Sequence, residues 1–198
     1  MYFIAASSVY SMAFFVPIIL REGMGFNYMM SQLLVSPTYV FAIIASVAAA
    51  FFSDKYKTRW TVLNFQAGIA IVGLLIVLYG GRPWVRYFGL FFANYGTSAN
   101  VPGTLAYASN QTGKPEKKGV VAAVMISAGA LGGVCGSTIF RSEDAPNYFP
   151  GMWSTIALLV LYAGIVTGLS IDLKRLNTLA DRGQRPALEG VEGFRYAP

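Results

Sequence analysis

The sequence predicts an all-α integral membrane protein with six transmembrane helices. Composition is the first observation: 55% of the 198 residues are hydrophobic and 12% are charged, whereas soluble domains carry about 25% charged residues. Charge spacing is the second, because it leaves six long uncharged stretches along the chain. A helix needs roughly 20 apolar residues to cross the hydrocarbon core, and β-strands are much shorter than these stretches.

The six stretches define the predicted elements in order. Spans are predicted at residues 1–20, 29–53, 60–81, 85–109, 119–140 and 151–171. Together they make one membrane domain over residues 1–180, with helix six continuing past Ile171 as an amphipathic turn or two. Residues 181–198 lack hydrophobic periodicity and are predicted to form a cytosolic, disordered tail.

The positions of lysine and arginine predict which side of the membrane each loop occupies, because basic residues concentrate on the cytoplasmic side. With the first helix starting inside, eleven of the 15 basic residues lie in inside segments. The outside segments hold the other four, Arg21, Arg82, Arg86 and Arg141. Both termini are therefore predicted to be cytosolic. The net charge of +6 reflects this topology, and no nucleic-acid partner is expected.

The residue types in the predicted helices argue against an enzyme. Histidine is absent and Cys135, the single cysteine, lies inside predicted helix five, so a zinc-hydrolase site or a catalytic triad cannot be built. No acidic or basic residue falls within a helix core, which leaves no base for a nucleophile and no paired carboxylates. No metal or cofactor is predicted. The paired N-P-A motifs of aquaporins and the threefold P-x-D/E-x-x-K/R repeat of mitochondrial carriers are also missing.

The charged loop after helix two has a specific spacing. Asp54 is followed directly by Lys55 and then by Arg59, and a solvated loop with positive flanks is one interpretation. The other is that an acid at a helix end pairs with a neighbouring helix terminus and with basic groups, holding two helices in one arrangement. The pattern resembles the G-x-x-x-D-x-x-x-x-R cytoplasmic loops of the major facilitator superfamily, with Ala50 in place of the glycine. This resemblance implies a gating role for Asp54, Lys55 and Arg59.

A longer likeness begins at the end of helix four. The order N-x-x-G, a basic pair, a glycine-rich helix and D-A-P-x-Y resembles the allantoate permease branch of that superfamily, the fungal anion:cation symporters. It aligns only with the second half of a twelve-helix transporter, so the six helices would be family helices seven to twelve. The residues that carry it are Asn110, Gly113, Lys117, Lys118, Gly129, Gly132, Gly133, Gly136, Ser137, Asp144, Ala145, Pro146, Tyr148 and Gly151.

The resemblance implies a function and a set of partners. The function would be transport of a small organic anion, such as a vitamin-like or ureide carboxylate, by alternating access in a proton-coupled symporter of the plasma membrane. The partners would be that anion, the lipid bilayer, and a missing N-terminal six-helix half or a second subunit, since the chain opens inside its first span at Met1. The alternative is a truncated, non-transporting membrane protein that only associates with another transporter half or with itself.

Polar side chains collect on two of the predicted helices, the first and the fourth. The resemblance implies that these are family helices seven and ten, which line the central cavity. Serine and threonine hydroxyls can instead bond carbonyls of their own helix, and asparagines can bond a neighbouring helix. The candidate substrate-binding residues are Ser7, Tyr10 and Ser11 on helix one and Asn94, Thr97, Ser98 and Asn100 on helix four.

A proline interrupts the fourth predicted helix. Pro102 removes one helical hydrogen bond, and together with Gly96 and Gly103 it predicts a kink. The kink is either static or a hinge beside the site.

Four glycines stand out in the fifth predicted helix. A phosphate-binding loop would follow a strand, whereas these glycines lie in one unbroken span. We expect them to pack closely against the other transporter half. They form two overlapping G-x-x-x-G pairs, Gly129 with Gly133 and Gly132 with Gly136.

Overall fold

Six long helices make up most of the part of the chain that the structure describes. The structure is a computed structural model, and it describes residues 1–56, 58–113, 115–140, 144, 148–182 and 194–197. The helices are α1 (Tyr2–Ile18), α2 (Tyr28–Tyr56), α3 (Arg59–Tyr79), α4 (Pro83–Asn110), α5 (Pro115–Thr138) and α6 (Phe149–Asp181). A π-helical turn, Ile19–Gly23, extends α1. Each helix overlaps one predicted segment, and α6 continues well past Ile171.

Five of the described helices are long and apolar enough to cross a membrane: α1 with its π-helical turn, α2, α3, α5 and α6. α4 has 28 residues, which at about 1.5 Å per residue is long enough for a core about 30 Å thick. Its composition is less apolar than that of the other five helices, because asparagines, threonines and serines interrupt it. A transmembrane character for α4 therefore remains a prediction.

The helices form two layers, with α4 at the centre of the front one. The front layer runs in the order α5, α1, α4, α2, and the back layer holds α3 and α6. α3 makes its largest contact with α4, and α6 packs against α3 and α1. Buried apolar side chains fill the space between the layers. α2 and α5 bury few residues and present exposed apolar faces at the two flanks of the front layer.

The contact between α3 and α4 depends on glycine. A Cβ at Gly73 would lie 2.3 Å from the amide nitrogen of Ala93, and one at Gly96 would lie 2.3 Å from the carbonyl oxygen of Gln66. Both neighbours are backbone atoms, so no side-chain rotation could relieve the overlap. Gly96 thus brings two helix backbones into contact, and the kink expected from Pro102 with Gly96 and Gly103 stays a prediction.

The glycines of α5 pack against α1. A Cβ at Gly132 would lie 2.4 Å from the carbonyl oxygen of Phe3, and one at Gly136 would lie 2.4 Å from that of Ser7. Gly129 and Gly133 lie against the rings of α1 tyrosines. The sequence placed this stripe at a boundary with another transporter half. The structure corrects that expectation, because the stripe is covered by α1 of the same chain.

The π-helical turn after α1 joins three helices at the end of the bundle that holds the α1–α2 connection. Arg86 of α4 donates from Nη1 to the carbonyl oxygen of Gly23 at 2.7 Å and from Nε to that of Val77 at 2.8 Å. Val77 lies in the last turns of α3, where helix carbonyls lack intrahelical partners. One guanidinium therefore connects α1, α3 and α4.

Tyr148, directly before α6, makes the second connection to the same turn. Its hydroxyl donates to the Glu22 carboxylate, its ring lies against Phe15 and Phe140, and its backbone is left-handed with φ of 49°. Desolvation by burial, followed by the hydrogen bond and charge of Glu22, raises the pKa of Tyr148 to about 12. A left-handed tyrosine is uncommon, and these contacts hold it in place.

The predicted tail lies mostly outside the described residues. Of its described residues, Asp181 and Arg182 belong to the end of α6, and residues 194–197 are bound to the opposite end of the bundle. The Asn177 side chain exchanges two hydrogen bonds with the Tyr196 backbone, at 2.9 and 3.0 Å. The Gln111 side chain does the same with Ala197, at 2.6 and 3.2 Å. These four residues therefore differ from the predicted disorder.

We expect Gly132→Ala to destabilise the bundle by about 1–3 kcal/mol, because the added methyl group meets a carbonyl oxygen and forces α1 and α5 apart. Gly68→Ala is the matched control, since a Cβ at Gly68 meets nothing within 4 Å. Thermal unfolding in detergent micelles measures both variants. Equal midpoints for the two would show that the α1–α5 contact does not need glycine.

Tyr148→Phe keeps the aromatic contacts and removes the hydrogen bond to Glu22, so we expect a loss of about 1.5 kcal/mol in the free energy of unfolding. The folded pKa is raised from 10 to about 12. The contribution of the hydroxyl is therefore complete below pH 10 and disappears as the pH rises through about 12.

Urea unfolding in micelles below pH 10 and near pH 12 measures the effect of Tyr148→Phe. Tyr28→Phe is the control, because Tyr28 is 64% exposed. If Tyr148→Phe were less stable than the parent by the same free energy at both pH values, the stabilising role of the Tyr148–Glu22 hydrogen bond would be contradicted.

Candidate functional site

Five of the seven predicted substrate-binding side chains are buried inside the bundle. Ser98 is half-buried and Tyr10 is 45% exposed. The structure therefore does not gather the seven on one open surface. The five residues that are at most 1% exposed are Ser7, Ser11, Asn94, Thr97 and Asn100.

Two of the buried hydroxyls are satisfied by carbonyls. Ser7 Oγ lies 2.9 Å from the carbonyl oxygen of Phe3, one turn earlier, and 2.9 Å from that of Gly132 on α5. Thr97 Oγ1 donates to the carbonyl oxygen of Ala93 at 2.8 Å. Such bonding within a helix is the ordinary alternative to ligand contact. Neither side chain needs a ligand to complete its hydrogen bonds.

Asn94 connects α4 to α2. Its Nδ2 donates to Thr38 Oγ1 at 3.2 Å, and its Oδ1 accepts from Ser98 Oγ at 3.3 Å. The sequence interpretation did not include Thr38, although a hydroxyl directly after Pro37 in an apolar span is a usable signal. The amide thus forms part of a polar link inside the front layer.

Asn100 is different, because both its amide nitrogen and its amide oxygen are buried without a partner among the described residues. Ser11 Oγ and Gln66 Oε1 share this condition. Buried polar atoms nearly always have a hydrogen-bond partner, so each exception calls for an explanation such as a water or a ligand. Pro102, close by in sequence, also leaves the carbonyl of Ser98 without its helical donor. Unsatisfied polar atoms therefore lie on α4 and on two of the three helices packed against it, α1 and α3.

Tyr10 lies on the exposed side of α1. Its ring stacks on Phe14 with centroids 6.4 Å apart and packs over Gly133 of α5. Among the described residues no hydrogen bond joins it to the α4 candidates. Tyr10 therefore presents an aromatic surface at the front of the bundle.

The charged loop forms an ion pair beside a cavity. Arg59 Nη2 donates to Asp54 Oδ1 at 2.6 Å, with 65% of the Asp54 side chain exposed, so the pair contributes about 0–1 kcal/mol to stability. Lys55 lies instead near the ring of Tyr56. The cavity, of about 210 Å³, lies between α2, α3 and α4. Gln66, whose Oε1 has no partner among the described residues, lines this cavity. Gln66 was not among the predicted site residues, although an amide side chain in an apolar span could have indicated it.

Several curated fungal proteins are similar to this chain. The MFS-type transporter cnsO of Penicillium expansum is 28% identical over 79% of this chain and 31% of its own length. The high-affinity nicotinic acid transporter of Saccharomyces cerevisiae is 28% identical over 77% of this chain and 28% of its own length. The MFS transporter prlL of a fungal species is 26% identical over 98% of this chain and 40% of its own length. The chain thus spans less than half the length of these relatives.

No solved structure matches the chain. A family match covers residues 1–137, from α1 to the end of α5. It confirms the resemblance that the spacing of Asp54 and Arg59 indicated, and apolar helices of membrane-spanning length agree with it. Because the match covers well over half of the 198 residues, this chain belongs to the Major Facilitator Superfamily.

Proposed function

We propose that this six-helix unit carries a small organic anion across the membrane by alternating access, as the C-terminal half of a proton-coupled symporter of the allantoate permease branch. The observation that carries the proposal is the side chain of Asn100, which is 1% exposed and has both amide atoms unpaired among the described residues. Leaving such a group buried costs about 1–3 kcal/mol. A substrate that bonds the amide when the helices separate would account for it.

The free donors near α4 suit a carboxylate. Asn100 Nδ2 and Ser11 Oγ can each donate a hydrogen bond, and bonds to a charged acceptor are stronger than neutral ones. A relative with the printed name of a nicotinic acid transporter supports the same substrate class, since nicotinate is a small carboxylate. The aromatic surface of Tyr10 suits a flat ring.

A second six-helix unit completes the proposed transporter. Exposed apolar side chains flank the front layer, including Ile44 and Phe51 on α2 and Leu131 and Val134 on α5, each at least 66% exposed. The described helix cores offer no carboxylate to carry a proton, so the coupling group would belong to the second unit. The same flanks support the alternative function, a non-transporting protein that associates with another half or with itself.

The proposed topology places six spans with both termini in the cytosol of a plasma-membrane protein. α4 is included as a span beside the five more apolar helices, because its polar side chains are turned into the bundle and away from lipid. The cytoplasmic end then carries the Asp54–Arg59 pair, which we assign to gating. Breaking the pair as α2 and α3 move apart would expose the cavity lined by Gln66.

We expect Asn100→Leu to raise the free energy of unfolding by about 1 kcal/mol and to weaken carboxylate binding by about tenfold or more, because an unpaired amide is removed from a binding site. Asn64→Leu is the matched control. The Asn64 amide is paired, with the carbonyl of Trp60 at 3.0 Å and with Thr167 Oγ1 at 3.1 Å. The control should lose stability and retain binding.

Binding of radiolabelled nicotinate to the 198-residue chain in lipid nanodiscs measures this comparison, and thermal unfolding of the same samples measures stability. Unchanged binding in Asn100→Leu would remove Asn100 from the site. Uptake into proteoliposomes under a proton gradient tests transport itself. If the chain binds no carboxylate while crosslinking detects a dimer, the alternative function is correct.

The orientation has a separate test. In a Cys135→Ser background we expect Arg82→Cys to react with an impermeant maleimide in intact cells, and Thr178→Cys to react only after permeabilisation, since both positions are exposed. The opposite labelling pattern would show that the topology is the reverse of the proposed one. A glycan on Asn110, which begins an N-x-T sequon, would do the same.

A further inference from the structure

α6 is longer than a membrane span. Its 33 residues extend about 50 Å, whereas the hydrocarbon core is about 30 Å thick. Lys174 lies over the ring of Trp60, which belongs to the first turn of α3, with its Nζ 4.6 Å from the ring centroid. Tryptophan and lysine are typical of the membrane–water interface. The Lys174–Trp60 contact therefore marks one membrane boundary, and the last turns of α6 lie at the level of the lipid headgroups.

This end of α6 combines cations and apolar side chains on one face, here termed the basic face. Residues four, seven and eleven positions after Ile171 follow one side of the helix, and two more residues flank that side. Together they line a shallow surface groove, formed by Ile171, Lys174, Arg175, Thr178, Leu179 and Arg182.

The charge of the basic face is not neutralised by the described residues. Asp181 lies on the neighbouring side and is paired with Arg195 of the tail at 2.7 Å. Asp172 precedes Arg175 by about one turn, yet no ion pair joins the two within the described ranges. Arg175 and Arg182 are exposed and make no side-chain hydrogen bond or ion pair to the described residues. Two guanidinium groups are thus available to an anion.

We propose that the basic face binds the headgroup of an anionic phospholipid. Guanidinium groups bind phosphate oxygens through paired N–H donors, and cations beside an apolar span are attracted to anionic lipid surfaces. Ile171, at the membrane boundary, lies where the acyl chains of the same lipid begin. The inference goes beyond the transport function and does not depend on it, because it rests only on α6 and on the level of Trp60.

Fluorescence of Trp60 reports on this lipid directly. In a Trp84→Phe, Trp153→Phe background, the full chain is reconstituted into phosphatidylcholine and phosphatidylglycerol mixtures, with either lipid brominated near the headgroup end of its chains. We expect brominated phosphatidylglycerol to quench Trp60 more strongly at equal mole fraction. Arg175→Gln with Arg182→Gln should reduce this preference by up to about fivefold for each cation lost.

Two matched variants separate site binding from net charge. Arg21→Gln with Arg82→Gln removes the same charge at the opposite end of the bundle, where both arginines are exposed, and should leave the preference intact. Arg175→Lys with Arg182→Lys keeps the charge and should retain most of the preference for phosphatidylglycerol. Equal quenching by both lipids in the parent protein would overturn the proposal. So would loss of the preference on adding inorganic phosphate but not chloride at matched ionic strength, which would indicate a site for free phosphate.

Discussion

Close contact between helix backbones is the constraint on which the rest of this bundle depends. Lipid tails are as apolar as the side chains they replace, so helices in a bilayer associate through packing and hydrogen bonds and gain little from the hydrophobic effect. Gly96 admits the backbone of α3, and Gly132 and Gly136 admit that of α1. These contacts allow α1, α2 and α3 to surround α4, which buries Asn94, Thr97, Asn100 and Thr104 inside the bundle.

The π-helical turn after α1 adds hydrogen bonds between helices at one end of the bundle. Its backbone offers the Gly23 carbonyl to Arg86, and its Glu22 side chain accepts from Tyr148. A local widening of one helix thereby connects the start of α4 and the start of α6.

The asparagines of this chain separate structural amides from a functional candidate. Asn64 and Asn94 bond across to α6 and α2, and each contributes to interhelical packing. Asn100, as deeply buried as Asn94, makes no side-chain hydrogen bond among the described residues. Stability alone would favour an apolar residue at that position. Under the proposed function, the amide beside Pro102 in the central helix is the group that a substrate bonds when the helices move.

The sequence by itself determined where the helices lie along the chain and the polar character of α1 and α4. It could do so because every backbone hydrogen bond of a membrane helix is made within its own segment, so length and hydropathy are sufficient. It also identified Asp54 and Arg59, which pair across the short connection between α2 and α3.

Only the tertiary structure decided which polar groups are paired and what the glycines touch. Ser7 and Asn100 are alike as polar residues in apolar helices, yet the first meets the Gly132 carbonyl and the second meets no partner among the described residues. The G-x-x-x-G pairs indicated close packing, but they did not indicate that α1 is the helix that packs there. Nothing in the sequence indicated that the side chains of Gln111 and Asn177 bind the tail. These contacts depend on how the helices are rotated and ordered around one another, which the hydropathy of nearly uniform apolar segments does not encode.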